Sequence, residues 1–198
     1  MRRLLVRIGS PVFRLLFPYK VIGRENIPSE PGRYLLCCNH ISLADPAYLM
    51  ASYPEHIYFM AKAELFRHKL LGWVIGKLGA FPVERGTGGA SAIETAKTIV
   101  WDGKTMGIFP EGTRSKTGEL LRFKSGTALI AAQTGATVVP ACVVTKNQKV
   151  KPFRRAYILY GEPLTPEQLH LTGEQPDLRY ATRLLMERIA ALKEAAPQ

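Results

Sequence analysis

His40 and Asp45, with four residues between them, close the stretch Tyr34-Leu-Leu-Cys-Cys-Asn-His-Ile-Ser-Leu-Ala-Asp-Pro46. The apolar run Tyr34–Cys38 reads as a buried strand that stops at Asn39-His40. Ser42 to Pro46 reads as a helix start, with a capping residue ahead of a proline at the first helical position. The pair therefore sits where a strand's carboxyl end meets a helix's amino end, the usual place for chemistry in an open α/β sheet. Across such a turn the carboxylate reaches back to the imidazole. A carboxylate on one ring nitrogen fixes the tautomer and leaves the other nitrogen to take a proton.

Other polar residues also follow apolar runs. Lys62 ends the run Ile57–Ala61, where it is placed to meet an anion. Arg85 ends Gly79-Ala-Phe-Pro-Val-Glu-Arg85, beside the glycine-rich Gly86–Gly89, and a guanidinium there suits a phosphate through two charge-assisted hydrogen bonds. Glu111, Gly112 and Arg114 leave the run Thr105–Phe109 within one tight turn, Pro110-Glu-Gly-Thr-Arg-Ser115. For each cation the plain alternative is a solvated loop residue or a surface ion pair.

Several chemistries are disfavoured. Gly118–Ser125 approaches a nucleotide-phosphate loop, but Phe123 stands where the second glycine belongs, so the backbone cannot wrap a phosphate. A thiol nucleophile at Cys37 or Cys38 would lie two or three residues upstream of His40 on the same strand, pointing poorly at the imidazole. The three cysteines make neither a disulfide framework nor zinc spacing, and they read as core residues of a reducing compartment. No Gly-x-Ser-x-Gly elbow occurs, and the four histidines show no zinc-like spacing, so no metal is expected.

The 198 residues fit one domain, with 27 Lys+Arg against 16 Asp+Glu, a net charge of +11. Such an excess points to a polyanionic partner. Nucleic acid is not expected, because the aromatic and basic residues do not interleave as in a single-strand binder. No apolar run approaches the roughly 18 residues that span a bilayer, and the N-terminus makes a poor signal peptide. Within residues 1–18, Leu4, Leu5, Ile8, Val12, Leu15 and Leu16 share one helical face and Arg3, Arg7 and Arg14 the opposite one, around an interruption at Gly9-Ser-Pro11. That pattern suits a helix lying in a membrane interface, and equally a helix packed on the domain that occupies 19–198.

The elements that must position these residues alternate. Strands are predicted at 19–21, 34–38, 57–61, 79–85, 105–109, 138–144 and 156–160. Helices are predicted after Pro46 and over 90–101, 127–134 and from Asp177 onward. Pro82 marks an edge strand or bulge, and the unbroken apolar run Val138–Val144 a buried, parallel-type strand. The result is a single layered α/β domain, its mostly parallel sheet flanked by helices.

Four blocks stand in order: Asn39-His40…Asp45, Gly79–Arg85, Phe109-Pro-Glu-Gly-Thr-Arg-Ser115 and Val138-Val-Pro140. Together they resemble the glycerolipid acyltransferases, most closely the bacterial 1-acylglycerol-3-phosphate acyltransferases. Lys62-Ala-Glu-Leu-Phe resembles a further segment of that family, where Lys69 replaces a proline carried by many members. The resemblance implies a glycerol-3-phosphate-acyltransferase-like fold. It also implies direct acyl transfer from a thioester of coenzyme A or acyl carrier protein to the sn-2 hydroxyl of a lysophosphatidic acid, without a resident cofactor. His40 would be the general base and Asp45 its support. Lys62, Arg85 and Arg114 would hold the acceptor phosphate, Glu111 and Gly112 would shape the acceptor site, and Val138–Pro140 would wall an acyl channel or support the site. The same blocks would serve glycerol 3-phosphate or another lysophospholipid. The implied location is peripheral, on an anionic membrane surface at the cytoplasmic face; the remote alternative is a non-enzymatic basic module.

Overall fold

A computed structural model describes residues 9, 11–30, 32–83 and 89–197. Seven strands form one sheet: β1 (Tyr19–Ile22), β2 (Tyr34–Cys38), β3 (Ile57–Lys62), β4 (Ala80–Val83), β5 (Thr105–Ile108), β6 (Thr137–Thr145) and β7 (Ala156–Tyr160). Their spatial order is β1-β7-β6-β2-β5-β3-β4. Every neighbouring pair is parallel except β6 and β7. The described residues after β1 add five α-helices: α1 (Asp45–Ser52), α2 (Lys69–Lys77), α3 (Gly89–Trp101), α4 (Gly126–Thr134) and α5 (Leu178–Glu194).

The continuous apolar strands follow from burial on both faces. In β2, Leu35 and Cys37 enter one cluster with Val100 of α3, Ala128 and Ile130 of α4, and Leu185 and Ile189 of α5. Leu36 and Cys38 enter the opposite cluster with Tyr48 and Leu49 of α1. All four β2 side chains are fully buried, and each leucine so placed contributes about 1.5–3 kcal/mol. Phe123, which broke the near-miss phosphate loop, is part of the first cluster.

Pro82 lies in β4, at the sheet edge, as expected. The run Val138–Val144 is parallel to β2 on one side but antiparallel to β7 on the other. Pro140 sits where the β7 ladder breaks off at Ala141↔Tyr160, before the Val138↔Leu164 bridge; its missing N–H falls in that gap, and its carbonyl accepts from Gly161 N–H.

Residues 1–8 and 10, half of the expected amphipathic segment, lie outside the described residues. Residues 11–16 are helical. Phe13 and Phe17, four apart and so on one face, pack on the second cluster, with the Phe13 ring 5.1 Å from that of Tyr48. The leucine face stays outside: Val12, Leu15 and Leu16 are exposed.

Candidate active site

β2 hands the chain to the site through Asn39, which is 1% exposed. Its Nδ2 donates to the Val143 carbonyl at 3.0 Å, and its Oδ1 accepts from Val143 N–H at 2.7 Å. The β2–β6 backbone ladder ends at Cys38↔Ala141. The Asn39 amide thus stands in for a further ladder rung, holding the strand end to β6 while the backbone turns toward α1.

The turn closes on one oxygen. Asp45 Oδ2 lies 2.8 Å from His40 Nδ1 and accepts from the N–H groups of Ile41 and Ser42, each at 2.7 Å. Asp45 is fully buried. It is the first residue of α1, with Ala44 in the cap position and Pro46 in the first turn. The carboxylate folds back over the preceding turn as expected and satisfies two of its N–H groups; what is corrected is the cap, which is Ala44 without a side-chain hydrogen bond. A negative charge at a helix amino end is also favoured by the helix dipole.

Register explains the second set of contacts. Cys37 is opposite Ile108 in the β2–β5 pair, so continuing both strands brings His40 alongside Glu111. His40 N–H donates to Glu111 Oε1 at 2.8 Å, and the His40 carbonyl accepts from Ser115 N–H at 2.7 Å. Its ring stacks on Phe109, centroids 4.2 Å apart and planes 19° apart, and Phe59 stacks behind Phe109 at 5.8 Å. Gly107 makes room for that stack: a Cβ there would fall 2.1 Å from the Phe59 ring. The imidazole is thereby held by Nδ1, by both backbone groups and by one face, while its side chain keeps 17% exposure.

Glu111 is 4% exposed, and its other oxygen accepts from Leu121 N–H at 3.1 Å. Burial pushes its carboxyl above the ordinary value, against the hydrogen bonds from His40 and Leu121. It contacts backbone groups and ties the turn of residues 109–121 to His40. Gly112 takes a φ of +69° in that turn, with the Lys124 side chain across from it.

The parallel strands β2, β5, β3 and β4 bring their carboxyl ends to one edge. Lys62 is at that edge, its Nζ 2.8 Å from Glu64 Oε1, both side chains nearly half exposed. A pair so exposed is worth about 0–1 kcal/mol, so an anion can take Lys62 from it. Arg114 is exposed in the turn after Glu111. β4 reaches the same edge at Val83, opposite Lys62; Arg85 lies outside the described residues. Among the described residues no three His, Cys, Asp or Glu side chains group as metal-ion donors.

A sequence model of the Acyltransferase family matches residues 18–144, the span from β1 almost to the end of β6. The chain belongs to the Acyltransferase family. It is 33% identical over 182 residues to the 1-acyl-sn-glycerol-3-phosphate acyltransferase of Bacillus subtilis, covering 90% of each chain. It is 34% identical over 118 residues to the enzyme of that name from Streptococcus pneumoniae, covering 59% of this chain and 43% of that one. The crystal structure of the 1-acyl-sn-glycerophosphate (LPA) acyltransferase of Thermotoga maritima superposes with a TM-score of 0.72 at 26% identity, over 100% of this chain and 81% of that one.

In this acyltransferase the cysteines pack the core. Cys37 and Cys38 are fully buried, and burial pushes the Cys37 thiol up to about 12 and the Cys38 thiol well above its ordinary value. Neither suits a thiolate nucleophile. Val138, Val139 and Pro140 are buried in β6 against β2. Two positioning residues were missed in the sequence. Asn39 left only the signal of an amide closing an apolar run. Phe109 left only that of an aromatic just past a strand end.

Proposed function

We propose that this acyltransferase moves an acyl group from a thioester, carried on coenzyme A or acyl carrier protein, to the free sn-2 hydroxyl of 1-acylglycerol 3-phosphate, giving phosphatidic acid. The observation that carries the reading is the His40–Asp45 pair, with Nδ1 engaged by a buried carboxylate and the backbone on both sides of the ring held. The names of the relatives supply the acceptor. With Nδ1–H directed at Asp45, Nε2 is the nitrogen left to take the hydroxyl proton. The oxygen then attacks the thioester carbonyl, the C–O bond forms, the C–S bond breaks, and the proton passes from His40 to the leaving thiolate. Asp45 stabilises the imidazolium between those events. No acyl-enzyme is needed, in keeping with the buried thiols.

Lys62, Arg85 and Arg114 hold the acceptor phosphate, each charge-assisted hydrogen bond being worth about 1.5–3 kcal/mol. Glu111 and Gly112 shape the acceptor site by fixing the turn that carries Arg114. The acceptor is a membrane lipid, and no described helix is long and apolar enough to cross a bilayer. On this reading the enzyme works peripherally, at an anionic leaflet on the cytoplasmic face, and the exposed Val12, Leu15 and Leu16 of its N-terminal segment support a contact with lipid. The test is thiol release from acyl-coenzyme A with and without lysophosphatidate, followed by mass spectrometry of products from a panel containing glycerol 3-phosphate and other lysophospholipids. Acceptor-dependent release with phosphatidate as the main product is expected. Release that ignores the acceptor, or a preference for another acceptor, overturns the reading.

A further inference from the structure

β2 and the four strands that run with it end at the edge carrying His40, and the opposed strands β7 and β1 begin there. Between β6 and β7 the chain makes an excursion over residues 146–155. Lys146, Lys149, Lys151 and Arg154 from this excursion line a cavity of about 230 Å³. All four are solvent-exposed, and none forms an ion pair with a described carboxylate. Like charges converging on one hollow repel one another, and a bound anion reverses the sign of that interaction.

Exposed apolar side chains lie on the same excursion and on the segments it joins. Phe153, between Lys151 and Arg154, is 71% exposed in a left-handed backbone conformation (φ 59°) that a bulky residue rarely adopts. Its N–H donates to the Leu16 carbonyl at 2.6 Å, joining the excursion to the N-terminal helix where Leu15 and Leu16 are exposed. Leu43, in the turn between His40 and Asp45, is 68% exposed at the same edge. The excursion also touches the turn of residues 109–121, which Glu111 ties to His40: a Cβ on Gly118 (φ +83°) would fall 2.1 Å from the Gln148 Cβ. A soluble anion would need the cations alone. A phosphate fixed at the surface of a hydrocarbon layer matches the cations and the leucines together.

We propose that Lys146, Lys149, Lys151 and Arg154 form a binding site for the headgroup phosphate of an anionic bilayer lipid, separate from the acceptor site, with Phe153 entering the layer beside it. Occupied, the site turns the His40 edge toward the leaflet that supplies the acceptor. The inference rests on the membrane-surface reading above; wild type that ignores anionic vesicles would fail that reading, whereas a variant of this site that binds them like wild type would fail the site alone.

The full chain is sedimented with phosphatidylcholine vesicles with and without phosphatidylglycerol, as wild type and as Lys146→Gln/Lys149→Gln/Lys151→Gln/Arg154→Gln. Binding to the anionic vesicles should weaken about fivefold per cation removed and roughly 10²–10³-fold for all four. Binding to phosphatidylcholine alone and turnover of detergent-dispersed lysophosphatidate should stay unchanged. Phe153→Gly, which keeps the left-handed backbone, should lower the binding that survives high salt. Three results would overturn the proposal: undiminished binding of the quadruple variant to the anionic vesicles, an equal loss of its binding to phosphatidylcholine alone, or a fall in detergent turnover that assigns these cations to the acceptor site.

Discussion

Replacing Asp45 by asparagine removes a charge while keeping a shape. The amide oxygen can take the place of Oδ2 and accept the same three hydrogen bonds, from His40, Ile41 and Ser42. The amide nitrogen then takes the place of Oδ1, which has no hydrogen-bond partner among the described residues. The turn therefore survives, and what is lost is the attraction between carboxylate and imidazolium once His40 has taken the proton. With charge centres ~4 Å apart at an effective dielectric constant of about 20, that attraction is about 4 kcal/mol, and a neutral hydrogen bond recovers about 1. A net loss of about 3 kcal/mol is a fall in kcat of roughly 10²-fold. The acceptor KM should stay near wild type, since the phosphate is held elsewhere. Asp45→Ala behaves differently, because it also strands two N–H groups at about 1–3 kcal/mol each. Its melting point should fall by several degrees more, roughly 2–4 °C per kcal/mol for a domain of this size. Steady-state thiol release beside thermal melts measures both. A folded Asp45→Asn enzyme within a few fold of wild-type kcat would refute the reasoning.

Three further outcomes follow from the same geometry. Arg85→Ala and Arg114→Ala should each raise the KM for lysophosphatidate by on the order of tenfold or more and move the thioester KM less; the opposite split in initial-rate kinetics would assign them to the donor. Burial raises the Glu111 carboxyl above its ordinary 4.5, so its stabilising contribution is complete below that value and is lost as pH rises through the raised one. Urea unfolding of wild type and Glu111→Gln should show the difference in stability moving in favour of the glutamine variant from pH 5 to pH 7, and a difference that ignores pH or moves the other way rejects the assignment. Native protein should resist thiol reagents and keep its activity, while all three cysteines react on unfolding; rapid native modification with loss of turnover would reopen the thiol chemistry.

The strand–turn–helix around His40 was legible because its signals are local. β2 is an unbroken apolar run, Pro46 marks a helix start, and four intervening residues fit one turn. Pro82 announced an edge for a similar reason, since a proline cannot donate to a ladder. The role of Glu111 was not legible: its partner is His40 N–H, and that contact exists only because β5 lies beside β2, a strand order that no run of residues encodes. Asn39 was missed on the same ground, its partner Val143 being 104 residues away. Which face of the N-terminal helix packs was also hidden. Leucines and phenylalanines are both apolar, and only the position of the helix beside Tyr48 selects Phe13 and Phe17 for the core.

The claim that His40 is the base is tested most directly by the steady-state rate of His40→Ala with acyl-coenzyme A and lysophosphatidate. The backbone contacts of His40 to Glu111 and Ser115 do not use the ring, so the variant should fold and still bind the acceptor. General-base catalysis contributes roughly 10²- to 10⁴-fold, and kcat should fall by at least that much while the acceptor dissociation constant holds. A well-folded His40→Ala enzyme turning over at near wild-type rate would contradict the account.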